Sequence, residues 1–389
     1  MKKRTAVMIA AATVLAMGIL GAGACMAEES SYSVAMITDS GDITDQSFNQ
    51  TTYEACKAFC EENSIDFNYY KPDGDADESR IASVDQAIAD GYNVIVMPGY
   101  LFAATIVEET PAYPDVKFIA LDMSEGDLLA AGVGESYDYN PENWTVGDYY
   151  NTENTYCAVY QEELAGYMAG YAAVKLGYRH LGFLGGMAVP AVIRYGFGYV
   201  QGANEAAVEL GVEGDVVIEY AYGNQFYGDA DITAAMDTWY QTNGVEVVFA
   251  CGGGIYTSAA EAAAKVDGKV IGVDSDQAPT IDVYGEGMTV TSAMKGLSQT
   301  INTLLTETIL NDNFAEYAGQ IQNLGLVSED PDENYVGLPV ESTQWNDEFT
   351  QDDYKALVAA MFNGDVTVSN ATDAMPEVSI TVNDQGNIK

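Results

Sequence analysis

The chain has 389 residues, with 15 Lys and Arg against 59 Asp and Glu, a net charge of −44 and a single His. So acidic a surface repels phosphate backbones, which argues against nucleic acid as a partner and against anionic ligands unless bases cluster locally. The length exceeds one ordinary domain, and the apolar content is ample for two cores.

Met1-Lys2-Lys3-Arg4 is a basic start, Thr5 to Leu20 is apolar, and Gly21 to Ala24 are small residues before Cys25. This is the pattern of a secretory signal peptide, expected over residues 1–24. The apolar run is short for a membrane anchor, and no later stretch is long enough to span a bilayer. Cys25 is then a candidate lipidation site, although Ala22 stands where a branched aliphatic is preferred. Simple cleavage near Ala27 is the alternative. The expectation is an exported body held by lipid on the extracytoplasmic face of the cell membrane, or else secreted or periplasmic.

The mature sequence alternates two kinds of segment. Strand-like Tyr32 to Ile37 is followed by "TDSGDITDQSFNQ" (Thr38 to Gln50), which is dense in carboxylates and amides. A turn needs one or two such groups, so the excess suggests half of a small-molecule site. Helical Asn49 to Asn63 and Glu78 to Asp90 alternate with extended Asp66 to Tyr70, buried "NVIVM" (93–97) and "KFIALD" (117–122); Phe102 to Thr110 is also helical. Such alternation implies βαβ units and a parallel sheet. Glu135 to Thr155, rich in Tyr, Asn and acids, reads as a surface excursion. Tyr156, Tyr160, Leu164, Tyr167 and Tyr171 fall on one helical face. Strands at 180–184, 216–222, 245–250 and 270–273 then alternate with helices at 194–209, 232–241 and 258–266.

The two series echo each other. "GYNVIVMPGY" parallels "GVEVVFACGG", and "VKFIALD" parallels "GKVIGVD". Matching acids at matching strand ends imply two lobes of one architecture. Ligands of open α/β sheets sit beyond the carboxyl ends of the strands, so Asp39, Asp122 and Asp274 are expected to face a cleft. The expected division is 32–155 for the first lobe with a segment crossing back around 294–325, and 156–293 for the second with part of 326–389. The "VSITVN" of the tail reads as a late strand.

Other patterns carry little. "DGDADES" lacks the Gly and Glu of a calcium loop. No Walker, G-x-S-x-G or H-E-x-x-H motif occurs. His180 has no evident partner acid, and Cys56, Cys60, Cys157 and Cys251 show no zinc spacing. No metal, cofactor or catalytic residue is expected. The glycines of "CGGGIYTS" (Cys251 to Ser258), Gly252 and Gly253 among them, suit close approach of backbone N–H groups to a ligand.

The ordered set "TDSGDITDQSFNQ", "IVMPG", "FIALD", "EELAGYMAGYAA", "LGFLGG", "FACGGG", "IGVDSDQ" and "TSAMKG" resembles the basic membrane protein family of nucleoside-binding lipoproteins, over Tyr32 to about Leu310. The resemblance implies an α/β, type I periplasmic-binding-protein fold of two doubly wound lobes joined by a hinge. It implies a substrate-binding component of an ABC importer, working with a permease and an ATPase and taking a nucleoside, with a purine one expected. It matches Phe48 to the aromatic that stacks on the base and Phe226 to the second face of that sandwich. Asp39 and Asn49 match groups reading the base edge, Asp122 and Asp274 match acids on ribose hydroxyls, and Lys295 matches a lysine at the sugar. Asp276 competes with Asp274, and Tyr222 or Tyr227 with Phe226, because "FYGD" departs from the family spacing. Rival readings are a receptor for a sugar or another heterocycle, a nucleoside hydrolase, and a sensor or adhesin.

Overall fold

The structure is a computed structural model describing residues 32–39 and 41–389. The expected signal peptide and Cys25 lie outside the described residues. The first βα series comprises β1 (Ser33–Ile37), α1 (Phe48–Asn63), β2 (Asp66–Tyr70), α2 (Asp77–Ala89), β3 (Val94–Pro98), α3 (Ala103–Ala112), β4 (Lys117–Leu121), α4 (Glu125–Val133) and β5 (Thr155–Tyr160). The second comprises α5 (Glu162–Lys175), β6 (His180–Gly185), α6 (Pro190–Leu210), β7 (Val217–Tyr222), α7 (Ala230–Thr238), β8 (Val247–Cys251), α8 (Tyr256–Ala263), β9 (Lys269–Asp274), α9 (Ala278–Ile281) and β10 (Thr289–Lys295). After these come α10 (Leu297–Leu305), β11 (Ile321–Leu324), β12 (Val336–Gly337), α11 (Gln351–Phe362) and β13 (Thr381–Asn387).

Two sheets result, ordered β11-β5-β4-β3-β1-β2 and β12-β10-β9-β8-β6-β7-β13. All neighbours are parallel except β12, which runs antiparallel to β10. Central strands such as β3 and β8 are buried at every residue, because helices cover both faces of a parallel sheet. Without the added edge strands, the two orders are the same doubly wound pattern. Strand order reverses between β1 and β3 and again between β6 and β8, where neighbouring loops diverge and leave a crevice. The sequence echo is therefore a structural repeat, and it places Asp122 and Asp274 at equivalent strand ends.

One boundary differs from expectation. Residues 156–160 were expected to open a helix of the second lobe. They instead pair with β4 and β11 in the first sheet, and α5 starts at Glu162. An apolar run this short fits either state by periodicity alone. The segment around 294–325 finishes β10 in the second sheet, packs α10 on α1, and adds β11 to the first sheet. The tail strand β13 lies beside β7.

Helices α5 and α6 touch closely. A Cβ on Gly166 would fall 2.1 Å from the carbonyl oxygen of Tyr195, and one on Gly198 would fall 2.1 Å from that of Glu163. Only glycine at these crossings lets the backbones approach so far, and the contact fixes the starts of both helices against each other.

Candidate functional site

The carboxyl ends of both sheets face one cavity of about 920 Å³, counted with its open mouth. Asp39, Phe48, Asn49 and Asp122 line it from the first lobe; Phe226, Gly252, Gly253, Asp274 and Lys295 line it from the second. Asp276 is not among them. It is exposed, and its Oδ1 accepts the N–H of Ala278 at 3.1 Å, holding the start of α9. Tyr227 is 63% exposed, and the Tyr222 hydroxyl is occupied with that of Tyr220 at 2.9 Å.

The turn after β1 is held by its own polar groups. Asp45 Oδ1 accepts the N–H groups of Ser47 and Gln50 at 2.9 and 3.0 Å, which ties down the orphan donors at the start of α1. Asn49 Nδ2 donates to Asp45 Oδ2 and to Asp39 Oδ1, each at 3.0 Å, and Asn49 Oδ1 receives the Asp39 N–H at 3.4 Å. Its amide is thus committed to bracing Asp39. Asp39 Oδ1 also takes the Gly41 N–H at 2.7 Å. Burial pushes the Asp39 carboxyl up to about 6, against the lowering pull of the Gly41 and Asn49 donors. Across the crevice, Gly99 has a φ of 122°, and a Cβ there would lie 3.0 Å from Asp39 Oδ2. Glycine at this turn makes room for the carboxylate.

Phe48, half-buried on the first turn of α1, and Phe226, half-buried in the loop after β7, meet the cavity from opposite lobes. The Phe226 ring lies over the "CGGG" turn. A Cβ on Gly252 would fall 2.8 Å from Phe226 Cδ1, and the Gly252 φ of 139° suits glycine alone. These glycines therefore seat an aromatic ring as well as lining the cavity.

Joined to the Asp39 turn through Ser47 and Phe48 is a cluster of buried charges. Lys295 Nζ lies 2.8 Å from Asp122 Oδ2, 3.1 Å from Glu162 Oε1 and 4.0 Å from Asp274 Oδ1. The rings of Phe48, Tyr160 and Tyr195 surround the ammonium at 5.2, 5.2 and 5.6 Å. Glu162 carries a second cation: Arg194 Nε donates to its Oε2 at 2.6 Å. Burial alone would raise Glu162, but Lys295 and Arg194 together outweigh it and hold the carboxyl below its ordinary value. Burial likewise tends to lower Lys295, and the three carboxylates more than reverse this. Asp274 is raised by burial, against the pull of Lys295 and the Ser47 hydroxyl, which donates to Asp274 Oδ2 at 2.6 Å. Asp122 and Asp274 both sit at positive φ, 54° and 63°. Left-handed backbone at two non-glycine strand ends is a strain concentrated where the lobes meet.

Several contacts join the lobes directly. Besides Ser47 to Asp274 and Lys295 to Asp122, Gln277 Nε2 donates to the Gln46 carbonyl at 2.9 Å, and Thr280 Oγ1 to Gln46 Oε1 at 3.0 Å. The sequence reading missed Glu162, Arg194, Tyr195 and Ser47. A weak signal existed for Glu162, which opens "EELAGYMAGYAA"; nothing local marked Arg194. Among the described residues, no group of three or more His, Cys, Asp or Glu is arranged to hold a metal, and no helix is long and apolar enough to cross a membrane.

The two-lobed α/β architecture with a cavity between the lobes recurs among solved structures. Two solved ABC transporter solute-binding proteins share it. One from Aeropyrum pernix has a TM-score of 0.66 at 20% identity, covering 88% of this chain and 94% of that one. One from Conexibacter woesei has a TM-score of 0.63 at 21% identity, covering 87% and 99%. Residues 32–367 match the family model described as ABC transporter substrate-binding protein PnrA-like, and the chain belongs to that family. Among similar proteins, the ABC transporter nucleoside-binding protein BmpA of Lactococcus lactis is 26% identical over 259 residues, 62% of this chain and 64% of that protein. The CD4+ T-cell-stimulating antigen of Listeria innocua is 26% identical over 340 residues, 80% and 86% of the two chains. Basic membrane protein B of Borreliella afzelii is 26% identical over 304 residues, 76% and 79%.

Proposed function

We propose that this substrate-binding protein captures a nucleoside, a purine one by preference, between its lobes and presents it to the permease of an ABC importer. The observation that carries the reading is one cavity shared by Phe48 and Phe226 from opposite lobes and by the strand-end acids Asp122 and Asp274. A planar base between two rings gains about 1–3 kcal/mol of stacking per ring. Carboxylates only accept hydrogen bonds, so Asp122 and Asp274 suit a ribose diol that offers two O–H donors. Asp39, braced by Asn49 and with no donor on its Oδ2 among the described residues, suits an N–H on the base edge. A relative named for nucleoside binding supports the ligand class. Cleavage before Cys25 and its acylation would hold the receptor at the membrane, and hinge closure would trap the ligand without altering it.

Mass spectrometry of the small molecule released from the purified protein tests this. A nucleoside is expected. Incubation with inosine should release no base, and sustained release would replace the receptor by a hydrolase.

A further inference from the structure

The cavity holds a second cation whose donors are not all spent. Lys295 is nearly saturated: its ammonium contacts both oxygens of Asp122 at 2.8 and 3.0 Å and Glu162 at 3.1 Å, and its side chain is 2% exposed. Arg194 differs. It lines the cavity, its side chain is 18% exposed, and only its Nε is engaged, with Glu162. Among the described residues no acceptor takes its two terminal nitrogens. Glu162 is fully buried and in turn anchored by Lys295, so it holds the guanidinium at one fixed position. The α5–α6 glycine contact fixes the helix turns that carry Glu162 and Arg194.

A guanidinium is a donor only, so it needs acceptor oxygens. In the nucleoside reading, on which this inference rests, Asp122 and Asp274 take the hydroxyl protons of the diol. The sugar then still offers two acceptors, its ring oxygen and its 5′-oxygen. We infer that Arg194 is a ligand-contacting specificity residue whose terminal N–H groups donate to these sugar oxygens, with Glu162 fixing its orientation. The cluster has Asp122, Glu162 and Asp274 against Lys295 and Arg194, so one carboxylate is in excess. No positive charge is left over for a phosphate, and the neutral 5′-hydroxyl is the preferred partner over a 5′-monophosphate.

The test is calorimetric titration of the protein with adenosine, guanosine and inosine, each beside its 5′-deoxy analogue and its 5′-monophosphate. The wild type should bind a nucleoside about tenfold more tightly than its 5′-deoxy analogue, as loss of a charge-assisted hydrogen bond implies. The monophosphate should bind more weakly than either. Arg194→Met should weaken the nucleoside at least tenfold and the 5′-deoxy analogue by less, since that analogue loses only the ring-oxygen contact, so that the discrimination disappears. Arg194→Lys, which keeps the charge and a donor, should restore part of it and serves if the Met variant does not fold. Full discrimination retained in a folded Arg194 variant overturns the inference while leaving the nucleoside reading intact. Failure of the wild type to bind any of the three nucleosides overturns both.

Discussion

The two ends of the cavity are built in opposite ways. The Asp39 end is local: Asp39, Gly41, Asp45, Ser47, Asn49 and Gln50 bond to one another within one short stretch after β1. The Lys295 end is assembled from β4, α5, α6, β9 and β10, so its charges meet only because both sheets and the α5–α6 contact are in place. The first end is held by hydrogen bonds to backbone and amide donors. The second is held by pairing among buried charges, where removing one partner strands the rest.

Substitutions should separate these regimes. The largest effect is expected for Glu162→Ala, which leaves two cations without their shared carboxylate. Breaking a buried pair from one side costs about 3–5 kcal/mol, so a clear fall in melting temperature is expected, and an unchanged melt would mean that the cluster is solvated. Asn49→Ala should cost less, about 2 kcal/mol, from hydrogen bonds lost to Asp39 and Asp45. Chemical denaturation measures it, and affinity should fall with it because Asp39 loses its brace. Phe48→Ala should weaken nucleoside binding at least tenfold, about 1.4 kcal/mol, while the melting temperature barely moves. Equal affinity in titration would remove the stacking role.

The smallest effect is a pH dependence whose two readouts have opposite sign. Folding raises the Asp39 carboxyl to about 6, so its contribution to stability is complete below the ordinary carboxylate value and is lost as pH rises through about 6. Nucleoside affinity should run the other way, weakening below about pH 6, because the ionised group accepts a base N–H in a stronger, charge-assisted bond than the protonated one. Asp39→Asn should flatten both dependences in paired melting and titration series. An unchanged affinity profile in that variant would assign the titration to another group.

The same contrast explains what could be read from the chain. The two series and their strand-end acids were legible because each leaves a short pattern, a buried run, a turn or a repeated Asp, whereas the two ring positions came only from the family resemblance. The density of "TDSGDITDQSFNQ" announced a site because many of its hydrogen bonds close within it. Glu162 and Arg194 were barely legible, since one opens an apolar helix buried over most of its length and the other sits early in α6. Their partnership exists only in three dimensions. Asn49 was expected to read the base edge, but its committed amide could be seen only once Asp45 was placed. The strand Thr155–Tyr160 was missed because its tyrosines also fit a helical face.

The most direct measurement is calorimetric titration of the purified protein with purine nucleosides and with free ribose. Saturable binding of a nucleoside, with no heat from ribose, is the expected result. A site filled by a sugar that nucleosides fail to displace would contradict it.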